Sequence, residues 1–183
     1  MADEFMYELK IPYDRVAVLI GLRGKVKKEI EAATKTKLSI DSKEGDIFIK
    51  GADAIQLFTA KEVIKAIGRG FNPEIALQLL KQDVCFELIL MDDFMKNKNQ
   101  HARLKGRVIG KEGSSRRNIE ELTETYICVY GKTIGIIGSP ERVSVARRAV
   151  ESLLSGSPHS TVYKWLEKQR RELKIAELEG KGL

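Results

Sequence analysis

The chain has little cysteine, histidine or tryptophan: two, two and one in 183 residues. Cys85 and Cys128 each lie inside an apolar stretch, the setting of reduced core thiols in a cytoplasmic protein and not of a disulfide framework. His101 and His159 stand alone. Neither a zinc-ligand spacing nor a Ser–His–Asp or Cys–His set emerges, so no metal, cofactor or catalytic residue is expected. Long apolar runs are missing as well. Val16 to Ile20 is the longest, far short of the ~20 residues that span a bilayer. The N-terminus carries Asp3 and Glu4 and no apolar signal core, so neither export nor a membrane is expected.

What is present points elsewhere. Apolar residues make up 43%, enough for a packed core, and charged residues 32%. Lys plus Arg exceeds Asp plus Glu by 32 to 26, a net charge of +6 and a pI near 9.2, which favours a polyanion partner. The length suits two small domains of about 70–90 residues each.

The chain also repeats itself. Ile20-Gly21-Leu22-Arg23-Gly24 and Ile109-Gly110-Lys111-Glu112-Gly113 lie 89 residues apart. At that offset Ile30 falls on Ile119, Thr34 on Thr123, Leu38 on Ile127 and Ile40 on Val129. A turn shorter by two residues in the second copy then places Ile47, Ile49 and Gly51 on Ile134, Ile136 and Gly138. Two copies of this length mean two related domains, not a solenoid.

Each copy reads as strand, helix, Gly-x-x-Gly, helix, strand, strand, helix. In the first, Phe5, Tyr7, Leu9 and Ile11 alternate as a strand, and Pro12 ends it and opens a helix. Val16, Leu19 and Ile20 recur at helical spacing up to Gly21; Val26, Ile30 and Ala33 mark the second helix. Leu38 and Ile40, then Ile47 and Ile49, form a hairpin, and Leu57, Ala60, Ile64 and Ile67 trace a longer amphipathic helix. The second copy predicts a strand over 84–91, an insertion over 92–97, helices ending at Ile109 and spanning 115–125, strands at 126–130 and 133–137, and a helix over 140–154. Residues 1–70 form the first domain, 71–83 a linker with a short helix, and 84–183 the second domain with a charged helical extension over 161–178. Tyr163, Trp165, Leu166, Leu173 and Leu178 are expected to pack that extension, with Lys168, Arg170, Arg171 and Lys174 on its wet face.

Two glycines three apart between helices permit a tight turn that lets a phosphate or sugar approach the main chain. The following helix aims its free N–H groups and positive dipole end at the same place. Beside the first turn stand Arg23, Lys25, Lys27 and Lys28. Beside the second stand Arg103, Lys105, Arg107, Lys111, Arg116 and Arg117, with the acid Glu112. Bases would lie in an apolar groove floored by Ile20, Val26, Leu38 and Ile40, or by Ile109, Ile127 and Val129, which takes about four unpaired nucleotides. Candidate contacts therefore run over Ile20, Gly21, Leu22, Arg23, Gly24, Lys25 and Val26 in one copy. In the other they run over Ile109, Gly110, Lys111, Glu112, Gly113, Ser114 and Ser115. Ser115, where the first copy has Val26, is expected to make the second groove more polar at its lip.

The order of elements and the paired loops resemble the type I KH family over nearly the whole chain. The second half goes further: Gly106-Arg107-Val108-Ile109-Gly110-Lys111-Glu112-Gly113, then Gly138, then Gly156-Ser157-Pro158 with Val162-Tyr163. These residues resemble the KRR/KH ribosome-assembly family, in particular the small-subunit maturation factors known as partners of the Nob endonuclease. The resemblance implies an α+β fold of two tandem KH domains, each a three-stranded antiparallel sheet with helices on one face. It also implies binding of single-stranded RNA near the 3′ end of small-subunit rRNA, with the Nob endonuclease and translation initiation factor 2 as protein partners.

Two rival classes match parts of the sequence. Gly131-Lys132-Thr133 looks like the end of a phosphate-binding P-loop, but the required first glycine would be Tyr126, and the site lies between strands. No small-molecule substrate is expected. The other rival is a protein-interaction scaffold whose KH folds contribute little RNA affinity; salt-dependent RNA binding separates the two.

Overall fold

The structure, a computed structural model, describes residues 5–95, 97 and 100–180. The chain divides into two compact units, Met1–Phe86 and Glu87–Leu183.

The first unit contains β1 (Phe5–Lys10), α1 (Tyr13–Ile20), α2 (Lys25–Thr34), β2 (Lys37–Ile40), β3 (Asp46–Gly51) and α3 (Ala54–Gly68). Its sheet is antiparallel in the order β1-β3-β2, with Leu9 and Ile40 both opposite Ile47, and Tyr7 and Leu38 both opposite Ile49. One face of the sheet is apolar. Leu38, Ile47 and Ile49 bury there with Val16, Leu19, Ile30, Leu57, Ile64 and Ile67 from the helices. Each such side chain contributes about 1.5–3 kcal/mol by leaving water. Asp53 starts α3 by accepting the N–H groups of Ile55 (2.8 Å) and Gln56 (3.3 Å).

The second unit repeats the plan with β4 (Cys85–Leu90), whose first two residues lie before the boundary, α5 (His101–Ile109), α6 (Ser114–Thr123), β5 (Tyr126–Tyr130), β6 (Thr133–Gly138) and α7 (Pro140–Leu154). The sheet order is β4-β6-β5, and Ile127, Ile134 and Ile136 take the places of Leu38, Ile47 and Ile49. Part of the expected 92–97 insertion is a 3₁₀ turn, Met91–Phe94; residue 96 lies outside the described residues.

Residues 71–83, expected as a linker with a short helix, hold α4 (Pro73–Ala76) and a 3₁₀ turn (Leu77–Leu80) and lie within the first unit. Phe71, Ala76 and Leu79 are buried there, because α3 leaves an apolar flank that the returning chain covers. The terminal helix α8 (His159–Gly180) packs on α6 and α7 through Val162 and Leu166, with Tyr163, Trp165 and Leu173 half-buried. Leu178, expected to pack, is 73% exposed, although its neighbour Glu177 still accepts from Arg142 of α7 at 2.7 Å; Arg170, expected to be wet, is half-buried.

Candidate RNA interface

The two Gly-x-x-Gly turns have the same backbone. Gly21 and Gly110 adopt φ 71, ψ 175 and φ 74, ψ 175. Arg23 and Glu112 hold left-handed conformations at φ 52, ψ 31 and φ 51, ψ 28. Gly24 and Gly113 follow at φ 74 and φ 78. The first glycine of each pair has a second constraint. A Cβ on Gly21 would stand 2.9 Å from the Val26 nitrogen, and one on Gly110 would stand 2.6 Å from the Ser115 nitrogen. A Cβ on Gly24 would meet only the Lys28 Cε, at an ordinary 3.9 Å, and one on Gly113 would meet nothing, so there only φ favours glycine. Neither α2 nor α6 has a side-chain N-cap. The Gly24 and Lys25 N–H groups donate back to the Gly21 and Leu22 carbonyls, and those of Gly113 and Ser114 to Gly110 and Lys111; a phosphate oxygen suits the N–H groups that follow in each first turn.

A duplicated set of hydrogen bonds ties each turn-bearing helix to the strand across the groove. Glu31 accepts the Leu38 N–H at 2.8 Å, and Glu120 accepts the Ile127 N–H at 2.7 Å. Thr34 and Thr123 each donate to the carbonyl four residues back, at 2.7 Å, and each hydroxyl bonds a second threonine, Thr36 at 2.8 Å and Thr125 at 2.9 Å. These groups fix the groove width without touching its mouth. The sequence reading missed their role, although Glu31 and Glu120, like Thr36 and Thr125, coincide at the 89-residue offset.

The expected cations divide into three groups. Arg23, Lys25, Lys28, Arg103 and Lys111 are exposed, while Lys27 and Lys105 are half-buried. Arg116 lies 3.7 Å from Glu120, and Arg117 donates to the Glu112 carbonyl at 2.9 Å, bracing the second turn. Arg107 points elsewhere. It donates to the carbonyls of Leu153 (2.8 Å) and Ser157 (2.5 Å), closing the C-terminal end of α7. Expected as an RNA attractor, it has its guanidinium engaged by the fold. Arg15 does the same in the first unit, donating to Ile67 (2.8 Å) and Phe71 (2.7 Å).

The groove residues divide into floor and rims. Leu38 and Ile127 are 4% and 3% exposed, so they form a floor beneath the surface. Ile20, Val26 and Ile40, like Ile109 and Val129, are half-buried and form the rims. Ser115 is 2% exposed, and its hydroxyl has no partner. It packs under Gly110 and cannot polarise the lip as expected; Ser114, beside it, is exposed. Beside the first turn, Lys25 lines a cleft of about 640 Å³ together with Glu29 and Glu74. Among the described residues no cluster of metal-ligating side chains occurs, and no helix is long and apolar enough to cross a membrane.

Comparison with known proteins gives a consistent picture. Residues 6–66 match the KH domain family, and residues 85–171 match the eukaryotic-type KH domain, KH type I. The KH domain-containing protein MJ0443 of Methanocaldococcus jannaschii is 48% identical over 97% of this chain and 79% of its own length. The RNA-binding protein pno1 of Dictyostelium discoideum is 28% identical over 88% of this chain and 70% of its own. A chain of the crystal structure of the a/eIF2alpha–aDim2p–rRNA complex from Pyrococcus horikoshii superimposes with a TM-score of 0.87 at 42% identity, covering 92% of this chain and 96% of that one.

Proposed function

The chain belongs to the two-KH-domain family of MJ0443 and archaeal Dim2p, and on that premise we propose that it binds single-stranded small-subunit rRNA, near its 3′ end, during ribosome maturation. The observation that carries this reading is the pair of Gly-x-x-Gly turns, each opening onto a helix N-terminus with no side-chain cap. Exposed Lys111 holds the backbone together with those N–H groups of the turn and of the first turn of α6 that remain once Gly110, Gly113 and Ser114 have bonded within the chain. Arg103, Lys105, Arg116 and Arg117 add attraction, and bases rest between the rims Ile109 and Val129 over Ile127. A groove this narrow takes splayed, unpaired bases. The protein works as a binder without catalysis, in the cytoplasm, and the α subunit of initiation factor 2 is its protein partner, as the composition of the Pyrococcus complex supports. The Nob endonuclease is a second partner on the strength of the sequence resemblance.

The test is fluorescence anisotropy with a labelled RNA copying the small-subunit rRNA 3′ end, at two salt concentrations. Wild type should bind with an affinity that falls as salt rises, by about 0.7 log units per log salt for each phosphate contacted. Lys111→Asp should abolish binding if the second unit is the principal reader, and Arg23→Asp should then have little effect. Both substitutions lie in exposed turns, so circular dichroism should be unchanged. Absence of salt-sensitive binding to this or to random RNA would overturn the reading in favour of the scaffold.

A further inference from the structure

The two units carry different chemistry at one equivalent place, the outer edge of the first strand and the helix beside it. The Ile11 N–H donates to Gly45 and the Met91 N–H donates to Lys132, both at 3.0 Å, which aligns β1 with β4 and Tyr7 with Glu87. The N-caps Asp53 and Ser139 align α3 with α7, and hence Lys61 with Arg147 and Lys65 with Glu151. In the second unit, Arg147 hydrogen-bonds Glu87 and, at 2.8 Å, Glu151. The Glu87 bond is the main cause holding the Arg147 pKa above its ordinary value. The charges there are matched within the unit. In the first unit the acids are replaced by a ring and a lysine. The Lys61 ammonium sits 4.8 Å from the centre of the Tyr7 ring and 5.8 Å from that of Phe58.

Next to this pair a cleft of about 660 Å³ runs between the end of β1 and α3, with Leu9, Ile11 and Tyr13 as apolar wall. Lys61 and Lys65 border it from α3 and Arg69 from the residue just after it, all of one sign. Lys10 and Glu44 border it from the other side, and Lys10 is largely balanced by Glu44 at 3.9 Å and Asp46 at 3.3 Å. In its sheet β1 is an edge strand with β3 as its neighbour on one side. Phe5, Met6 and Tyr7 are 47%, 57% and 38% exposed. Glu8 and Lys10, also exposed, follow them, so charge blunts the second half of β1 and leaves its apolar first half as a template for strand addition.

We propose that the β1 edge docks an extended acidic segment of a partner protein, which adds as a strand and sets its carboxylates against Lys61, Lys65 and Arg69. Main-chain hydrogen bonds along the open edge supply affinity, and the alternating side chains supply selectivity. An RNA strand fits this face less well. Lys61 already occupies the faces of Tyr7 and Phe58 on which bases would stack, and an open backbone edge is matched by another backbone. The site stands apart from the Gly-x-x-Gly turns, so it does not depend on how RNA is bound.

The experiment pans a random linear peptide library against the full chain and against Lys61→Glu/Lys65→Glu, with Lys61→Gln/Lys65→Gln as a milder second variant and circular dichroism as the check on folding. Wild type should enrich peptides that alternate acidic and apolar residues. A selected peptide should slow amide exchange across Phe5–Lys10, bind at least about tenfold more weakly to the reversed variant, and lose a smaller factor with the neutral one. Affinity for rRNA should be unchanged in both variants. Absence of acidic enrichment, binding that survives both variants, or protection confined to another segment would overturn the proposal. If charge reversal instead cuts rRNA affinity by a similar factor, the face serves RNA and the proposal falls.

Discussion

Arg23 and Glu112 put opposite charges on one backbone conformation, φ 52 in the first unit and φ 51 in the second. Around them, Glu31 and Glu120 accept equivalent N–H groups, and the threonine pairs are duplicated bond for bond. The clamp arginines differ in another way. Arg15 stands in the first turn of α1, whereas Arg107 stands near the end of α5, yet both donate to the last turn of the closing helix and to the carbonyl four residues on. Backbone geometry and the bonds that set groove width are common to both units. Charge at the turn mouth, and the residue that supplies the clamp, are free to differ. The two units therefore share a way of presenting N–H groups and differ in how strongly each draws an anion.

The comparison can be broken most decisively at the first glycines. Gly110→Ala should cost the second unit about 2–4 kcal/mol, from positive φ together with the clash at Ser115. Gly113→Ala should cost only about 1 kcal/mol, since φ alone opposes it. Urea unfolding measures both; equal costs would mean that the close contact is unimportant. Next in size, Arg15→Ala and Arg107→Ala should each destabilise by about 1.5–3 kcal/mol, the range for hydrogen bonds from a charged donor. A stable Arg107→Ala protein that lost rRNA binding would move Arg107 back from clamp to RNA contact. The charge difference is sharpened by Glu112→Arg, a residue type that Arg23 shows to be tolerated at this φ. It should tighten rRNA binding about three- to tenfold in low salt and less as salt rises. Smallest, Ser115→Val should raise the thermal stability of the second unit by up to about 1 kcal/mol, because the buried hydroxyl has no partner; Val26→Ser should lower that of the first by a similar amount.

The order of elements and the position of both turns were legible in the sequence for local reasons. Alternation in Leu38-Ser39-Ile40, helical spacing from Val16 to Ile20, and the glycine pairs are each written within a few neighbouring residues. The 89-residue repeat then made two weak signals into one strong one. Over 71–83 the short helix was legible but its packing was not, because Gly68, Gly70 and Pro73 punctuate the chain without saying whether the next turn packs; burial of Phe71 and Leu79 depends on an apolar flank of α3.

By itself, then, the sequence determined two KH-type domains with paired phosphate-accessible turns and a basic surface, since those follow from local period, glycine and charge. The tertiary structure alone decided which cations are available. Arg107 sits two residues from Ile109 in a basic run, and nothing nearby distinguishes it from Lys105 or Lys111. Its partners, the carbonyls of Leu153 and Ser157, lie 46 and 50 residues away and meet it only when α7 folds back onto α5. Lys61 and Tyr7 likewise come together only across the packed sheet and helix, because a side chain's charge is fixed by the chain but its neighbours are fixed by the fold.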